Sequence, residues 1–160
     1  MHSTSSEDSG KVGSGRKKIV LAYSGGLDTS VAIKWLEDRY DLDVVAVSID
    51  VGQPGDMVAN IERAKSIGAV SAYAIDARKE FVDEYIWPAL KANALYQGVY
   101  PLSTAIARPL IAKVLVDVAR KEGAHFIAHG CTAKGNDQVR FDVSIGALAP
   151  DLGIIAPMRE

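Results

Sequence analysis

The residues with the clearest chemical potential lie near the start of the chain, where two glycines stand among hydroxyl side chains. The segment 24–30 reads Ser-Gly-Gly-Leu-Asp-Thr-Ser. Glycine lets a backbone approach an anion closely, and the first turn of a helix presents unpaired N–H groups with partial positive charge. The segment therefore predicts a phosphate-binding turn between a strand and a helix, with Ser24 and Ser30 supplying hydroxyl groups.

The spacing of the segment excludes two common phosphate loops. The Walker pattern ends in a lysine that is absent here, and the dinucleotide fingerprint has glycines that are not adjacent. The remaining pattern, S-G-G-x-D-x-S, resembles the pyrophosphate loop of the ATP pyrophosphatase superfamily, whose members typically cleave ATP between the α and β phosphates. An alternative is a glycine-rich turn in which Asp28 and Ser30 only cap the helix.

Asp28 is the unusual residue of the segment, because a carboxylate repels a polyphosphate. Either a cation such as Mg²⁺ stands between the two, in which case Asp28 helps to hold the cation, or the side chain points away and caps the helix. The sequence leaves both alternatives open.

A second polar stretch spans residues 129–141 and combines small residues with amide, hydroxyl and charged side chains. Asn136 and Arg140 are four residues apart and share one helical face. Arg140 can offer two parallel N–H groups to a carboxylate, so this face suits a polar substrate of the amino-acid type. The alternative is a capped helix start with a surface ion pair between Asp137 and Arg140, which would contribute less than about 1 kcal/mol.

Strand and helix patterns alternate along the chain and predict how these two stretches are positioned. Short apolar runs of strand length occur at 19–23, 43–50, 71–76, 125–129 and 154–156. The run at 43–50 is almost continuously apolar, which is typical of a strand buried on both faces. We therefore predict an α/β fold, a doubly wound parallel sheet of about five strands with helices on both faces. The loops after the first and fourth strands should meet at one edge of that sheet.

Capping residues and prolines predict the helix limits. Asp56 should begin a helix that runs to about Ile67 and is ended by a glycine. The helical pattern of 77–97 should end or kink near Trp87 because of Pro88, and Pro109 should lie near the front of a helix that ends at about Glu122. A further helix is expected from about 137 to 148. Three aromatic residues are predicted to lie in the core: Trp35, Phe81 and Trp87.

Composition limits the classes of protein that fit. The chain has 160 residues, 48% of them hydrophobic, and a formal net charge of −2, which suits one soluble domain. Without a long Lys/Arg stripe, we expect no nucleic-acid partner. Cys131 is the single cysteine, and no apolar stretch is long enough to span a bilayer, so a reducing compartment, the cytoplasm, is expected. Residues 1–17 are predicted to be a disordered extension or an expression remnant, and 18–160 the folded domain.

Three motifs in order give a more specific resemblance. Segments 22–30, 107–109 and 134–141 read AYSGGLDTS, ARP and KGNDQVRF. From about Lys18 to the end, including the segment 155–160, the chain resembles the N-terminal nucleotide-binding domain of the argininosuccinate synthase family. This resemblance implies a fold of the adenine nucleotide alpha hydrolase type.

The resemblance also implies a reaction and its ligands. Members of the family condense citrulline with aspartate in arginine biosynthesis, using ATP with Mg²⁺ and releasing AMP and pyrophosphate. The implied ATP-binding residues are Ala22, Tyr23, Ser24, Gly25, Gly26, Leu27, Asp28, Thr29, Ser30, Ile49 and Gly130. The implied citrulline-binding residues are Tyr100, Thr104, Asn136 and Arg140. The implied aspartate-binding residues are Thr132, Asn136 and Asp137. No residue is assigned as a general base, and none as a metal ligand apart from the alternative already given for Asp28.

The chain also departs from the family pattern. Ala133 stands where many relatives have glycine, and Ala105 where many have a hydroxyl. The family continues into a second domain that completes the citrulline site and builds a homotetramer, so a fragment is expected here. The alternative function is a truncated, non-catalytic module that only binds an adenine nucleotide. His129 fits either a phosphate contact or a hydrogen-bonded residue at a strand end, and Cys131 is predicted to be an inert wall residue.

Overall fold

Five parallel strands form one sheet in the computed structural model, which describes residues 15–132 and 134–159. The strands are β1 (Lys18–Ala22), β2 (Asp43–Asp50), β3 (Ser71–Asp76), β4 (Phe126–Ala128) and β5 (Gly153–Ile155). Their order across the sheet is β3-β2-β1-β4-β5, and every neighbouring pair is parallel. The predicted parallel sheet is confirmed, with β4 one residue shorter at each end than predicted and β5 shifted by one residue.

Helices connect the strands. They are α1 (Leu27–Tyr40), α2 (Met57–Ile67), α3 (Arg78–Phe81), a π-helical segment (Val82–Ile86), α4 (Trp87–Lys91), α5 (Ser103–Glu122), α6 (Asn136–Leu148) and a final 3₁₀ turn (Pro157–Arg159). As predicted, Asp56 begins α2: its side chain accepts hydrogen bonds from the N–H groups of Val58 and Ala59. Gly68 ends the helix with a φ of +136°.

The helices pack on both faces of the sheet, which confirms the doubly wound arrangement. Successive residues of β1 point to opposite faces. Val20 packs in a buried cluster with residues of α5 and α6 such as Leu115 and Ile145. Ile19 and Leu21 pack on the other face in a cluster that contains Ile33 and Leu36 of α1. The sheet is therefore covered by apolar side chains on each side.

Of the two outcomes predicted at Pro88, an end or a kink, the helix does not end: a π-helical segment precedes Pro88, and the helix continues as α4. Two other predictions about prolines and aromatic residues are wrong. Pro109 lies inside α5 and not at its front, because buried neighbours such as Leu110 hold that helix against the sheet. Trp87 is 53% exposed. The same segment packs inward through Phe81, which lies in the core as predicted, so Trp87 faces outward.

Within residues 15–132 and 134–159, no helix has the length and apolar character needed to cross a membrane. The N-terminal residues 1–14, which make up most of the predicted extension, lie outside the described part of the chain, as does Ala133.

Candidate functional site

The topology creates a crevice where β1 and β4 lie side by side. The helix after β1, α1, packs on one face of the sheet, whereas α6, which follows β4, packs on the other. The two connections therefore diverge at the carboxyl ends of neighbouring strands. In open parallel sheets, ligands bind at such a switch point.

A cavity of about 530 Å³ opens at this point. A volume of this order suits a small molecule. Seven of the residues implied by the family resemblance line it: Ala22, Tyr23, Ser24, Thr29, Ile49, Thr104 and Gly130. The cavity thus brings the glycine-rich turn, the end of β2, the start of α5 and the loop after β4 to one place.

Hydroxyl groups hold the turn after β1. The Oγ atom of Ser24 lies 3.2 Å from Oγ1 of Thr29 and accepts a 3.4 Å hydrogen bond from the N–H of Gly26. Tyr23 Oη lies 3.0 Å from Ser30 Oγ. Gly26 is the residue that precedes α1, and no side chain caps that helix. The alternative in which Asp28 and Ser30 cap the helix is therefore wrong, and the first N–H groups of α1 are open to a ligand.

The neighbouring helix α2 supports the same turn. Gly25 has a φ of +78°, and a Cβ atom there would lie 2.0 Å from Oδ1 of Asn60. Arg63 donates a 2.7 Å hydrogen bond from Nη1 to the carbonyl oxygen of Gly25. Asn60 and Arg63 were not predicted from the sequence, because their contacts depend on how α2 packs beside α1. A polar residue on a helix face gives no local signal of that packing.

The loop after β2 closes the adjoining side of the cavity. Gln53 donates a 2.7 Å hydrogen bond from Nε2 to the carbonyl oxygen of Ile49 and accepts a 2.9 Å bond from the N–H of Val51. The buried Ser48 donates a 2.7 Å bond to the carbonyl oxygen of Tyr23, which ties β2 to the chain after β1. Gln53 and Ser48 were also missed. The Val-Gly pair before Gln53 is a turn signal that could have pointed to this loop.

On the other side of the cavity, His129 is fully buried at the end of β4. Its Nε2 lies 3.1 Å from Asp142 Oδ1, and its Nδ1 accepts a 3.4 Å hydrogen bond from the N–H of Cys131. Because Nδ1 accepts, we assign the ring proton to Nε2, which donates it to Asp142. The imidazole also stacks on Phe141 with the ring centroids 5.2 Å apart. His129 is thus a hydrogen-bonded strand-end residue that also lines the cavity.

Asp137, in the first turn of α6, lies between two arginines. Arg108 donates to Asp137 Oδ2 from Nε at 3.0 Å and Nη2 at 2.8 Å, and Arg140 donates to Oδ1 from Nη1 at 2.6 Å. Burial raises the pKa of Asp137, but the two guanidinium groups outweigh it and hold that pKa below its ordinary range. The ion pair between Asp137 and Arg140, predicted from the sequence as an alternative, is present. It belongs to a larger cluster that reaches α5.

The other implied site residues do not form part of the cavity wall. They are Gly25, Gly26, Leu27, Asp28, Ser30, Tyr100, Thr132, Asn136, Asp137 and Arg140. Leu27 is 78% exposed and Tyr100 is 51% exposed. Asp28 is also exposed, and Ala105, which departs from the family pattern, is half-buried in α5. The described residues contain no group of three or more His, Cys, Asp or Glu side chains that could hold a metal ion.

Comparison with known proteins identifies the family. A family model described as "Arginosuccinate synthase N-terminal HUP domain" matches residues 18–160. The chain belongs to the argininosuccinate synthase family. This confirms the resemblance given by the three sequence motifs.

Close relatives support this membership. The chain is 64% identical over 144 residues to an argininosuccinate synthase of Dehalococcoides mccartyi strain 195, and 60% identical over 145 residues to one of Oceanobacillus iheyensis. These matches cover 90% and 91% of the chain but only 36% and 35% of the relatives. The chain thus spans about a third of the length of the curated relatives it matches.

Two solved structures share the fold. A predicted tRNA methyltransferase subunit from Methanocaldococcus jannaschii is 16% identical with a TM-score of 0.58, and the match covers 89% of this chain and 68% of that one. An NH3-dependent NAD synthetase from Campylobacter jejuni is 16% identical with a TM-score of 0.52, over 77% of this chain and 50% of that one. At this identity the likeness concerns the layered fold of the argininosuccinate synthase domain alone.

Proposed function

We propose that this chain is the ATP-binding part of a ligase that condenses citrulline with aspartate to form argininosuccinate. The observation that carries the proposal is the cavity at the switch point of a domain of this family. The cavity lies between a glycine-rich turn with open helix N–H groups and the loop after β4. A polyphosphate fits the turn because backbone N–H groups and hydroxyls can both donate to its oxygens.

The reaction proceeds in two displacements. The ureido oxygen of citrulline attacks the α-phosphorus of ATP, an O–P bond forms, and the bond from the α-phosphorus to the bridging oxygen breaks so that pyrophosphate leaves. The amine of aspartate then attacks the ureido carbon, the C–O bond to the AMP group breaks, and the amine loses a proton to solvent. The domain contributes positioning and charge neutralisation: it holds the pyrophosphate on the turn of 24–30 while the substrate lies beside α6.

The two amino-acid substrates would bind on the polar side of the site, at α5 and α6. The start of α5 carries Thr104, and the first two turns of α6 carry Asn136 and Arg140 for citrulline, with Tyr100 on the loop before α5. Thr132, Asn136 and Asp137 are the residues proposed for aspartate. Asp137 already receives three N–H groups from two arginines. The carboxylate of Asp137 is therefore fixed in place and remains ionised at neutral pH, so it can accept a hydrogen bond from the amino group of aspartate.

Mg²⁺ would enter with the nucleotide. The described residues offer no cluster of metal ligands, and this suits Mg²⁺, which usually keeps several waters and binds through substrate phosphates and one or two carboxylates. Asp28 is exposed at the first turn of α1, next to the proposed phosphate turn, and is the carboxylate we propose for that role. Bound Mg²⁺ would neutralise charge on the departing pyrophosphate.

We further propose that the reaction takes place in the cytoplasm and that the full-length enzyme is a homo-oligomer, a homotetramer. The single, half-buried Cys131 suits a reducing compartment. The family relatives are almost three times as long as the matched segment, and the remaining part would complete the citrulline site and build the oligomer.

The test combines calorimetry with an assay of pyrophosphate release. The chain is titrated with ATP and Mg²⁺, with and without citrulline. ATP binding by the chain is the expected result, and citrulline-dependent pyrophosphate release is expected of the ligase when the part that completes the citrulline site is supplied. If ATP does not bind, the proposal is wrong.

A second candidate function is an adenine-nucleotide-binding module without catalysis. The observation that favours it is the coverage of the relatives, since only 36% of their length matches. Such a module binds ATP in the same cavity, but citrulline changes neither the ATP affinity nor the release of pyrophosphate. The same two measurements therefore distinguish the two functions.

A further inference from the structure

Arg108 contributes a positive charge to the cavity wall. Among the described residues that line the cavity, it is the only one with a charged side chain of the Asp, Glu, Lys or Arg type. A nucleoside triphosphate carries several negative charges, and the glycine-rich turn has no lysine of the Walker type to balance them. The one full positive charge among the described wall residues is therefore carried by α5.

The guanidinium group of Arg108 is held firmly in place. Nε and Nη2 both donate to Oδ2 of Asp137, and the Cζ atom lies 5.8 Å from the centroid of the Phe141 ring. The side chain is only 27% exposed. A guanidinium that is anchored before the ligand arrives loses little side-chain entropy on binding, so its N–H groups are preorganised.

The charges around Arg108 do not cancel. Asp137 is the carboxylate partner of both Arg108 and Arg140, so this cluster carries one net positive charge. No hydrogen-bond partner is found for Nη1 of Arg108 within residues 15–132 and 134–159. A partly buried positive charge with an unused N–H pair is attracted to an anionic oxygen more strongly than an exposed one.

We propose that Arg108 is a catalytic residue that binds the α-phosphate of ATP. This inference rests on the proposed function, and it adds a residue that the family resemblance did not assign. The turn of 24–30 would hold the terminal pyrophosphate, and the amino-acid substrate would lie beside α6. The α-phosphate must then lie between them, where Arg108 joins the cavity wall to Asp137. Negative charge that develops on the α-phosphate oxygens in the first displacement would be stabilised by Nη1.

The test measures the affinity of the chain for ATP, AMP and adenosine, each by calorimetry with Mg²⁺. Arg108→Met removes the charge and keeps most of the side-chain length, and Arg108→Lys keeps the charge but loses the fork of N–H groups. Arg120→Met is the matched control, because it removes the same charge from the same helix at a residue that pairs with Asp151. Thermal unfolding of each variant is recorded alongside.

We expect Arg108→Met to lower the affinity for both ATP and AMP by about 10- to 100-fold, the range for a lost charge-assisted hydrogen bond. Adenosine affinity should change less than twofold, and Arg108→Lys should lie in between. Arg120→Met should leave all three affinities within about twofold. If Arg108→Met does not fold, Arg108→Lys still tests the proposal. Arg108→Lys must also lose affinity for ATP and AMP while it keeps its affinity for adenosine.

Other outcomes overturn the proposal in distinguishable ways. Loss of ATP affinity with AMP affinity unchanged would place Arg108 on the terminal phosphates. An equal loss for adenosine would make Arg108 a residue that acts on the fold of the cavity and not on the phosphate. An AMP affinity no higher than that of adenosine in the unaltered chain would also contradict the contact. Absence of ATP binding by the unaltered chain would contradict the proposed function itself, together with this inference.

Discussion

Gly25 and Asn60 approach each other so closely that a Cβ atom on Gly25 would lie 2.0 Å from Asn60 Oδ1 and 2.6 Å from Cγ. The contact joins the turn after β1 to α2. Since Gly25 also has a φ of +78°, both the space and the backbone conformation favour glycine at this position. The shape of the proposed phosphate turn therefore depends on the helix beside it.

Gly25→Ala is expected to destabilise the chain and to weaken ATP binding. The added methyl group strains a left-handed backbone and displaces Asn60, and we expect a loss of about 1–2 kcal/mol in the free energy of unfolding. The ATP affinity should fall at least about tenfold as the turn shifts. Urea denaturation and calorimetric titration measure the two effects.

Gly26→Ala provides the matched control for stability. Gly26 has a φ of −77°, and a Cβ atom there would lie 3.4 Å from Ser24 Oγ, an ordinary contact. Because Gly26 directly precedes α1, where alanine is less favourable than glycine, Gly26→Ala should lower the unfolding free energy by about 0.5 kcal/mol, less than Gly25→Ala does. In the double variant Gly25→Ala with Asn60→Ala, the clash is relieved and only the backbone strain remains. Equal stability of the Gly25→Ala and Gly26→Ala chains would disprove this account of the turn.

Local signals in the sequence were enough to predict two of the elements that position the site. The continuous apolar run of β2 and the capping residues of α2 are read directly from neighbouring residues, and both elements have the predicted bounds. Pro109 shows where such signals fail. The burial of α5 against the sheet outweighs one missing N–H group, and only the packed structure reveals that burial.

The candidate site was predictable only in part, for the same reason. Motif residues such as Ser24 and Gly130 do line the cavity, because a motif encodes both a local shape and a chemical type. The contacts from Asn60 and Arg63 join separate elements, so they follow from tertiary packing. Gln53 instead closes a local loop through bonds to Ile49 and Val51. The roles assigned to the individual ligand-binding residues remain predictions.

Glu122 is expected to make the stability of the chain depend on pH in the acid range. It accepts a 2.7 Å hydrogen bond from Lys18 Nζ and a second bond from Tyr73 Oη, and these bonds hold the pKa of Glu122 below its ordinary range. A lowered folded-state pKa contributes stability above the unfolded value, near 4.3, and this contribution is lost as the pH falls through the folded value.

Glu122→Gln should therefore lower the unfolding free energy by roughly 1–2 kcal/mol at pH 7. The difference from the unaltered chain should shrink as the pH falls below about 4. Urea denaturation between pH 3 and pH 7 measures this difference in unfolding free energy. Glu62→Gln, at an exposed position of α2, serves as control and should change stability little at any pH. A difference for Glu122→Gln that stays constant with pH would contradict the assignment.

Cys131 is expected to react slowly with alkylating reagents. Burial raises the pKa of its thiol, so less thiolate is present at a given pH. At pH 8, iodoacetamide should modify it at least about tenfold more slowly than in the urea-unfolded chain. Because Cys131 lines the cavity, bound ATP with Mg²⁺ should slow the reaction further. A rate equal to that of the unfolded chain, or one that ATP leaves unchanged, would contradict this placement.

The position of the bound nucleotide tests the central claim most directly. Backbone amide resonances of the ¹⁵N-labelled chain are recorded during titration with ATP and Mg²⁺. The account predicts that the largest shifts fall on residues 22–30, on residues 104–108 and on the loop that begins at Gly130. Resonances near Lys18 and Glu122, at the opposite end of the sheet, should move little. Shifts confined to that opposite end, or no shifts at all, would contradict a nucleotide site at the switch point between β1 and β4.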